Sequence, residues 1–499
     1  MRCRALVALV GAATALVALP PGAGASPDQI SIFHDEPVLR GFSVHDAEQS
    51  MLEVEALGAD MVRTFVYWAD VAPRPRARVM PEGFEPGDPD SPGYDWSTYD
   101  AFVERAERYG LEVYFTLSPP IPYWASQEPG ECPHFIGGRR ELGESCFWKP
   151  RPRMFGQFVK AVARRYRGRV SLYSLWNEPN LEHYLYPQLQ RTRFGVVDVA
   201  SKRYRSLWWE GWKAIAKYDP AMRGQVLFGE TAAISSPMDT LRAALCLNPA
   251  GRPFRGRLRE LQGCSDPRQL PVGGFAHHPY GQFAGGSVFQ RTHTSDSLPM
   301  AYLGRLHRLI KGAAIRGRIP GNRGIYVSEF GFQSKPPDRY QGLPLGDHAR
   351  ALNEADRLFY RDPRINSVAQ FQLYDSPEPR GMDLFNTGLR LIGGGLKPAY
   401  RAYRLPLTVE RVSPGVVEVW GQVRPPRRRV TVAIDANRRR GGSPVRLATV
   451  ETNDSGFFSR RIRRPAATDL RYFAEWRSRS GELVRSRVAR AGRRIRYLG

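Results

Sequence analysis

The feature that most constrains the fold is an alternation of amphipathic helical segments with short, β-rich apolar runs. It extends from about residue 36 to residue 405 of the 499-residue chain. Residues 97–109 show one unit: apolar side chains recur at helical spacing, Gly110 ends the helix, and the apolar run 111–117 follows. Because a helix separates each strand from the next, the strands are expected to be parallel.

Eight runs fit this alternation and are predicted to be strands. They are residues 38–43, 61–66, 111–117, 170–175, 225–228, 272–276, 324–327 and 365–373. Eight such units predict an α/β fold, a (β/α)8 TIM barrel over residues 36–406, rather than an open doubly wound sheet. No GxGxxG motif follows an early strand to indicate a dinucleotide. In such a barrel, functional residues follow the strands at the C-terminal face.

Two glutamates stand where this barrel would place functional residues. The fourth run leads into Trp176-Asn177-Glu178-Pro179, and the seventh leads into Ser328-Glu329-Phe330-Gly331. A lone buried carboxylate is costly. Two carboxylates that converge on one cleft are what cleavage of a glycosidic bond needs, one as a protonated acid and one as a nucleophile.

The motif pair WNEP and SEFG resembles that of the retaining glycoside hydrolases of clan A. Those enzymes are (β/α)8 barrels with an acid/base glutamate on strand four and a nucleophile on strand seven. The sequence WNEPNL is most similar to the corresponding motif of family 39, with family 5 next. The resemblance covers nearly the whole barrel. It implies that Glu178 is the acid/base, that Glu329 is the nucleophile, and that Asn177 hydrogen-bonds the 2-hydroxyl of the sugar.

Other candidate residues follow from the same resemblance. Arg63, on the second strand, matches an arginine that keeps the nucleophile ionised and oriented. His278 and Tyr280, after the sixth strand, match a His-x-Tyr pair in which Tyr280 donates to Glu329. The candidate substrate-binding residues are Arg63, Trp176, Asn177, His278, Tyr280 and Tyr374. Glu230, at the end of the fifth run, is a rival carboxylate for which we expect a supporting hydrogen-bond role.

Two strands depart from the pattern of the clan. The third ends at Thr116-Leu117-Ser118-Pro119, without the histidine of family 5, and the eighth has no tryptophan to lie under the sugar. Phe371 or Tyr374 would have to supply that apolar surface. The loop aromatics are either subsite platforms or packing residues: Trp124, Trp148, Tyr184 and Tyr186.

The N-terminus has the features of a secretory signal. Arg2 and Arg4 precede an apolar run that ends at Leu19, and Ala23-Gly24-Ala25 is a small-x-small cleavage pattern. The run is shorter than the ~20 residues that span a bilayer, which favours export over an uncleaved anchor. We predict a signal peptide over residues 1–25, a secreted or wall-associated chain, and no transmembrane segment after it.

Four cysteines remain once Cys3 leaves with the signal peptide. Cys132 with Cys146 and Cys246 with Cys264 is the favoured of three connectivities, with buried free thiols as the alternative. Neither pair has zinc-ligand spacing, and the chain shows no HExxH or calcium-loop motif. We therefore predict no metal and no other cofactor.

The last 92 residues carry most of the net charge of +24. From Thr408 onward there are 22 arginines, no lysine and 8 acidic residues, a net charge of +14. Short alternating runs separated by Gly, Pro, Asn and Asp predict an immunoglobulin-like β-sandwich over residues 408–499. Its charge is either a solvated surface or an attachment to an anionic wall polymer or acidic polysaccharide. Export and the lack of a recognised motif argue against nucleic acid.

The sequence as a whole predicts a secreted retaining glycoside hydrolase acting on a poly- or oligosaccharide by double displacement. We expect it to act as a monomer. Two alternatives stay open: a transglycosylase that uses the same two glutamates, and a non-catalytic carbohydrate-binding protein on a degenerate barrel.

Overall fold

The computed structural model describes residues 26–133, 145–281, 287–292, 294–321, 323–376, 385–425, 429–438, 443–463, 470–478 and 480–498. The predicted signal peptide lies outside the described residues. So do several arginines of the basic C-terminal region, among them Arg427, Arg428, Arg439, Arg440 and Arg464.

Eight parallel strands close into a barrel, each hydrogen-bonded to its neighbours in the order of the chain. They are β1 (Ile30–His34), β2 (Met61–Tyr67), β3 (Glu112–Ser118), β4 (Leu172–Leu175), β5 (Val226–Ala232), β6 (Gly274–His278), β7 (Ile325–Phe330) and β8 (Ile365–Phe371). The barrel closes between β1 and β8, in a register that runs from Ile30–Ser367 to His34–Phe371. The predicted (β/α)8 barrel is confirmed.

The first strand is not where the sequence pattern placed it. The prediction of a strand at 38–43 is wrong, because these residues belong to α1 (Glu36–Leu39) and the turn after it. Pro37 lies in the first turn of α1, where its fixed φ favours a helix start, and Val38 and Leu39 are the buried face of that helix. The true strand β1 lies upstream of residue 36, the predicted start of the domain.

Helices and loops surround the barrel. The other helices are α2 (Ala47–Ala56), α3 (Trp68–Val71), α4 (Ser97–Arg108), α5 (Pro152–Arg165), α6 (Val199–Tyr218), α7 (Pro237–Ala244), α8 (Gly256–Leu261), α9 (Leu303–Ile315), α10 (Leu345–Tyr360) and α11 (Pro398–Arg404). Their apolar faces bury one large core against the strands. Among the described residues, no helix is long and apolar enough to cross a membrane.

Covalent and hydrogen-bonded links tie the loops together. Both predicted disulfides are present, Cys132–Cys146 and Cys246–Cys264, with Cα–Cα distances of 5.3 and 5.5 Å. Two short strand pairs lie in the loops after β4 and β7: Leu189–Thr192 with Gly195–Asp198, and Ser334–Lys335 with Leu343–Pro344.

The C-terminal region is a sandwich of two antiparallel sheets. Its strands are β9 (Leu407–Ser413), β10 (Val416–Gln422), β11 (Thr431–Arg438), β12 (Val445–Glu451), β13 (Phe457–Arg463), β14 (Leu470–Arg477) and β15 (Leu483–Arg485). One sheet has the order β9-β10-β13 and the other β12-β11-β14-β15. The predicted β-sandwich is confirmed, and β9 is a strand that the sequence pattern did not single out.

The sandwich is fixed to the barrel through α10. Arg357 donates to Glu418 at 2.7 Å and Arg361 donates to Glu410 at 2.6 Å, while the ring of Tyr360 packs on aromatic rings of β10 and β13. The beginning of β1 faces the same sheet across a small cavity. These contacts are made by a barrel helix and by the N-terminal end of a strand. The C-terminal ends of the strands are therefore followed by loops that take no part in these contacts.

Candidate active site

The C-terminal ends of the strands bring together the polar residues that the sequence indicated. Glu178 lies three residues beyond β4, Glu329 is in β7, and His278 is the last residue of β6. Arg63 and Glu230 come from β2 and β5. All five side chains belong to one hydrogen-bonded cluster inside the barrel mouth.

Glu329 is a buried carboxylate surrounded by donors. Arg63 Nη1 donates to Glu329 Oε1 at 2.6 Å, and Tyr280 Oη donates to Oε2 at 3.2 Å. Burial alone would raise the pKa of Glu329, but the positive charges of His278 and Arg63 hold that pKa well below its usual range. Glu329 is therefore ionised and oriented, which is what a nucleophile requires.

Glu178 lies in a different environment. Its backbone is left-handed (φ +38°), and its N–H donates to the carbonyl of Glu230 at 2.8 Å. Such a conformation is costly for a residue other than glycine and is common at functional sites. Burial raises the pKa of Glu178, the charges of Glu329 and Glu230 raise it further, and His278 opposes them. Glu178 is thus the carboxyl better suited to carry a proton.

The imidazole of His278 connects these carboxyls. Burial lowers its pKa, but the charge of Glu329 and the hydrogen bonds to Glu178 and Glu230 outweigh burial and raise the pKa to about 10. As an imidazolium it donates from Nδ1 to Glu178 at 2.8 Å and from Nε2 to Glu230 at 2.6 Å. Its Nε2 is also 3.7 Å from Glu329 Oε1. Glu178 and Glu329 therefore approach opposite nitrogens of one ring.

Glu230 supports the cluster from below. It accepts from Arg63 at 3.1 Å, from Ser328 at 2.9 Å and from the hydroxyl of Tyr114. Although burial raises its pKa, Arg63 and His278 bring the pKa down to about 2. At 1% exposure, Glu230 is out of reach of a substrate. It positions the two cations, which is the supporting role expected from the sequence.

A backbone irregularity directs Glu230 into the barrel. The pairing of β5 with β6 shifts register between Gly229 and Thr231, so Glu230 occupies a bulge. Gly229 has φ +115°, and a Cβ on it would lie 2.6 Å from the carbonyl oxygen of Ala276. Only glycine permits this approach of the two strands.

His34 is a member of the cluster that the sequence reasoning missed. Its Nδ1 is 2.8 Å from Arg63 Nη1 and 3.5 Å from Glu329 Oε1. Burial and the charge of Arg63 lower the pKa of His34 to about 4, so it is neutral and accepts from Arg63. The misplaced first strand hid this residue. Period-two alternation along β3 could have indicated Tyr114 and Thr116, which both point into the barrel and hydrogen-bond to the cluster.

Two candidate substrate-binding residues of the WNEP motif are both buried, and they differ in their polar contacts. Asn177 is 2% exposed, and its Oδ1 has no partner within the described part of the chain. Trp176 is fully buried, its ring lies edge-on to Phe155 at 5.3 Å, and its Nε1 donates to the carbonyl of Tyr184 at 3.0 Å. The side chain of Trp176 thus supports the loop from inside the core and is not placed to touch a substrate.

The aromatic surface after β8 is built from other residues than Tyr374. Tyr374 stacks on His45 at 3.6 Å, beside the loop after α1. Phe371, the other residue considered, lies 5.0 Å from Phe385, which is 5.8 Å from Tyr280. These three rings form the wall on the β8 side.

The four loop aromatics fall into three groups. Trp124 is 2% exposed and packs edge-on against Trp68, so it belongs to the core. Trp148 and Tyr186 are half-buried with their rings 5.3 Å apart. Tyr184 is half-buried, and burial together with the charges of Glu178 and Glu329 raises its pKa. Within the described residues, no cluster of three or more His, Cys, Asp or Glu could hold a metal ion.

Comparisons with known proteins give distant structural likenesses. A Paenibacillus polymyxa xyloglucanase of glycoside hydrolase family 44 is similar with a TM-score of 0.41 and 10% identity, over 88% of this chain and 95% of the other. A Thermotoga maritima family 1 β-glucosidase is similar with a TM-score of 0.41 and 13% identity, over 70% and 84%. No protein-family model and no curated protein sequence matches the chain. Similarity at this level carries no argument about activity, which rests on the geometry above.

Proposed function

We propose that the protein is a retaining O-glycosyl hydrolase in which Glu329 is the nucleophile and Glu178 is the acid/base. The observation that carries the proposal is the pair of glutamates at opposite nitrogens of the His278 imidazolium. Their environments push the two pKa values apart, Glu178 upward and Glu329 downward. Such a divergence is what assigns acid and nucleophile roles to two carboxyls of one site.

The reaction proceeds in two displacements. A carboxylate oxygen of Glu329 bonds to the anomeric carbon while the bond from that carbon to the leaving oxygen breaks, and Glu178 gives its proton to that oxygen. Glu178, now a carboxylate, then takes a proton from water, and the water oxygen displaces Glu329 from the anomeric carbon. The product keeps the starting anomeric configuration.

The charges of the cluster support this change of role. In the free enzyme, the negative charge of Glu329 is one of the causes that raise the pKa of Glu178. When Glu329 becomes an ester, that charge disappears while His278 stays beside Glu178. The pKa of Glu178 therefore falls in the intermediate, which suits its second task as a base.

Kinetics with nucleophile rescue test this assignment. Glu329→Ala should lose hydrolysis of an aryl glycoside, and azide should restore turnover to a glycosyl azide of opposite anomeric configuration. Proton NMR of the wild-type reaction should show the retained anomer first. Glu182→Gln is the matched control, because Glu182 is an exposed carboxylate in the loop that carries Glu178. An active Glu329→Ala, or an inverted first product, would contradict the proposal.

The two alternative functions, transglycosylation and carbohydrate binding without catalysis, can be distinguished from hydrolysis by the products that form. A non-catalytic carbohydrate-binding protein has no need of two carboxyls with opposed pKa shifts, so the cluster favours an enzyme. Hydrolysis and transglycosylation share the same intermediate, and product analysis at high acceptor concentration distinguishes them. Export is supported by the two disulfides, which persist in oxidising compartments.

The sandwich is proposed to attach the enzyme to an anionic polymer of a cell wall. Its support is the net charge of +14 and the exposed arginines on its strands and C-terminal segment, including Arg411, Arg461, Arg463, Arg493 and Arg494. Co-sedimentation of the full chain with an anionic wall polymer should fall steeply between low and high salt. Absence of salt-sensitive binding would leave the arginines as a solvated surface.

A further inference from the structure

A polar pair at the rim of β1 and β2 has no part in the mechanism proposed above. Tyr67, the last residue of β2, donates from Oη to Glu36 Oε2 at 2.9 Å. Arg40 donates to the other oxygen of Glu36. The side chain of Glu36 is 13% exposed and that of Arg40 only 4%. The side chain of Glu36 is therefore partly accessible, while its counter-ion is buried.

A ladder of side chains connects this pair to the nucleophile. Residues 63, 65 and 67 alternate along β2 and point to the same side. The guanidinium of Arg63 lies 4.7 Å from the ring centre of Phe65, and that ring stacks on Tyr67 at 5.4 Å. Arg63 donates to Glu329 at the lower end, and Tyr67 donates to Glu36 at the upper end. Glu36 thus stands at the far end of a continuous set of contacts that begins at Glu329.

Tyr184 faces the pair from the loop after β4. Burial and the charges of Glu178, Glu329 and Glu36 raise the pKa of Tyr184, and Tyr184 is in turn one of the groups that raise the pKa of Tyr67. The three carboxylates therefore have one neighbouring tyrosine in common. Together with the ladder along β2, this shared neighbour supports a place for Glu36 beside the substrate of the proposed reaction.

The roles proposed for Glu178 and Glu329 indicate which sugar of the substrate lies next to Glu36 and Tyr67. Glu178 protonates the leaving oxygen, so the leaving group lies on the β4 side. In the proposed reaction the sugar that becomes bonded to Glu329 extends away from Glu178, and the ladder along β2 leads from Glu329 to Glu36. Glu36 and Tyr67 are consequently next to the glycone, the sugar that is transferred.

We propose that Glu36 is a specificity-determining residue that accepts hydrogen bonds from neighbouring hydroxyls of a neutral glycone and disfavours a uronic acid there. The proposal rests on the proposed glycosidase function. An ionised carboxylate has about four acceptor positions, and Tyr67 and Arg40 occupy one on each oxygen. The remaining positions suit two adjacent hydroxyls, whereas a uronate would meet a like charge.

The position of Arg40 strengthens the exclusion of acids. Its guanidinium is enclosed by the rings of Tyr99 and Phe42, 4.4 and 4.8 Å away, and it is held by Glu36 and Asp70. It favours the ionised form of Glu36, and at 4% exposure it is not itself presented to a substrate. A uronate would therefore meet Glu36 first and gain no direct ion pair with Arg40.

The test compares paired substrates in the wild type and in Glu36→Gln. The panel contains 4-nitrophenyl glycosides of neutral sugars, the matching glucuronide, and monodeoxy versions of the best neutral substrate. If the enzyme cleaves only oligosaccharides, neutral oligosaccharides and their uronate counterparts replace the 4-nitrophenyl glycosides. Glu36→Gln should lower kcat/KM about 10- to 100-fold on the best neutral substrate, the size of one or two hydrogen bonds to a charged acceptor. It should change kcat/KM little for the deoxy analogue that lacks the contacted hydroxyl.

A pH series adds an independent measurement. Burial raises the pKa of Glu36 to about 7, with Arg40 and Tyr67 opposing and Asp70 adding to the rise. As pH increases from 6 to 8, the ratio of neutral-sugar to glucuronide kcat/KM should increase in the wild type. In Glu36→Gln this ratio should stay flat. The ratio cancels the titration of the reacting glutamates, because both substrates depend on them.

Two further variants separate specificity from structure. Asp70→Asn alters the other carboxylate that Arg40 contacts, 3.5 Å away and 47% exposed, and should change kcat/KM less than about twofold. Tyr67→Phe keeps the ring and removes its hydroxyl, and should raise KM for the neutral substrate with little change in kcat. Thermal unfolding confirms that each variant is folded.

Three outcomes would overturn the proposal. They are a wild type that prefers the glucuronide, a Glu36→Gln variant that loses equal activity on parent and deoxy substrates, and a substrate ratio with the same pH dependence in both proteins. A wild type that hydrolyses no glycoside would instead remove the proposed function itself. Rescue of Glu329→Ala by azide, with no effect of Glu36→Gln, would leave the mechanism standing and this specificity role refuted.

Discussion

The barrel mouth and the sandwich use the same residue, arginine, in opposite ways. Arg63 is 0% exposed and its guanidinium contacts Glu329 and Glu230. Arg461 and Arg463, on β13, are exposed to solvent. A buried charge must be compensated by fixed partners, so it sets the pKa values of its neighbours, whereas an exposed charge acts mainly through long-range attraction. We therefore expect the burial of an arginine, and not the number of arginines, to separate the proposed chemistry of the barrel mouth from the proposed attachment through the sandwich.

Among the substitutions considered, replacing the buried Arg63 is expected to have the largest effect on kcat/KM and on the free energy of unfolding. Arg63→Ala leaves two buried carboxylates without their shared cation, so we expect kcat/KM to fall about 1,000-fold or more and the free energy of unfolding to fall by about 3–5 kcal/mol. Kinetics on an aryl glycoside and denaturant unfolding measure both. Arg463→Ala is the matched control and should change stability by less than about 0.5 kcal/mol. Equal effects of the two substitutions would break the comparison.

The charge of His278 can be tested through pH. Glu329 must be ionised and Glu178 protonated, so kcat/KM rises with pH through the pKa of Glu329 and falls through that of Glu178. The imidazolium lowers both pKa values. His278→Gln removes this charge, so both limbs of the kcat/KM profile should move to higher pH, with a loss at the optimum of about 10- to 100-fold. A profile that moves to lower pH would contradict the role assigned to His278.

Arg357 provides an intermediate case, because it is buried but lies far from the reacting groups. It bonds to Glu418 and Glu410 at the contact between α10 and the sandwich. Arg357→Ala should cost about 2–3 kcal/mol of stability, since Arg361 still faces the same carboxylates, while kcat/KM at 25 °C stays within about twofold. Urea unfolding and initial rates measure the two quantities. A large loss of kcat/KM would mean that the sandwich influences the site.

The sequence predicted most of what depends on periodicity. The barrel, seven of its strands, the sandwich and the positions of Glu178 and Glu329 at strand ends all follow from local patterns. It misplaced β1 because Val38 and Leu39 resemble part of an apolar strand, although Pro37 before them favours the start of a helix. Missing β1 also hid His34. Trp176 was misjudged because a left-handed backbone (φ +82°) turns its ring into the core, and a motif does not encode that direction.

Added salt is expected to have the smallest effect on kcat/KM of all the changes considered. It distinguishes the buried charges of the barrel mouth from the exposed charges of the sandwich within one protein. The ion pairs of Arg63 and His278 are buried and exclude mobile ions, so 0.5 M NaCl should change kcat/KM on a neutral aryl glycoside by less than about twofold. The exposed arginines of the sandwich are screened, so binding to an anionic polymer should be lost over the same range. A kcat/KM as salt-sensitive as polymer binding would mean that exposed charges contribute to the reaction. An insensitive kcat/KM, beside salt-sensitive binding, would assign the buried charges to chemistry and the exposed ones to attachment.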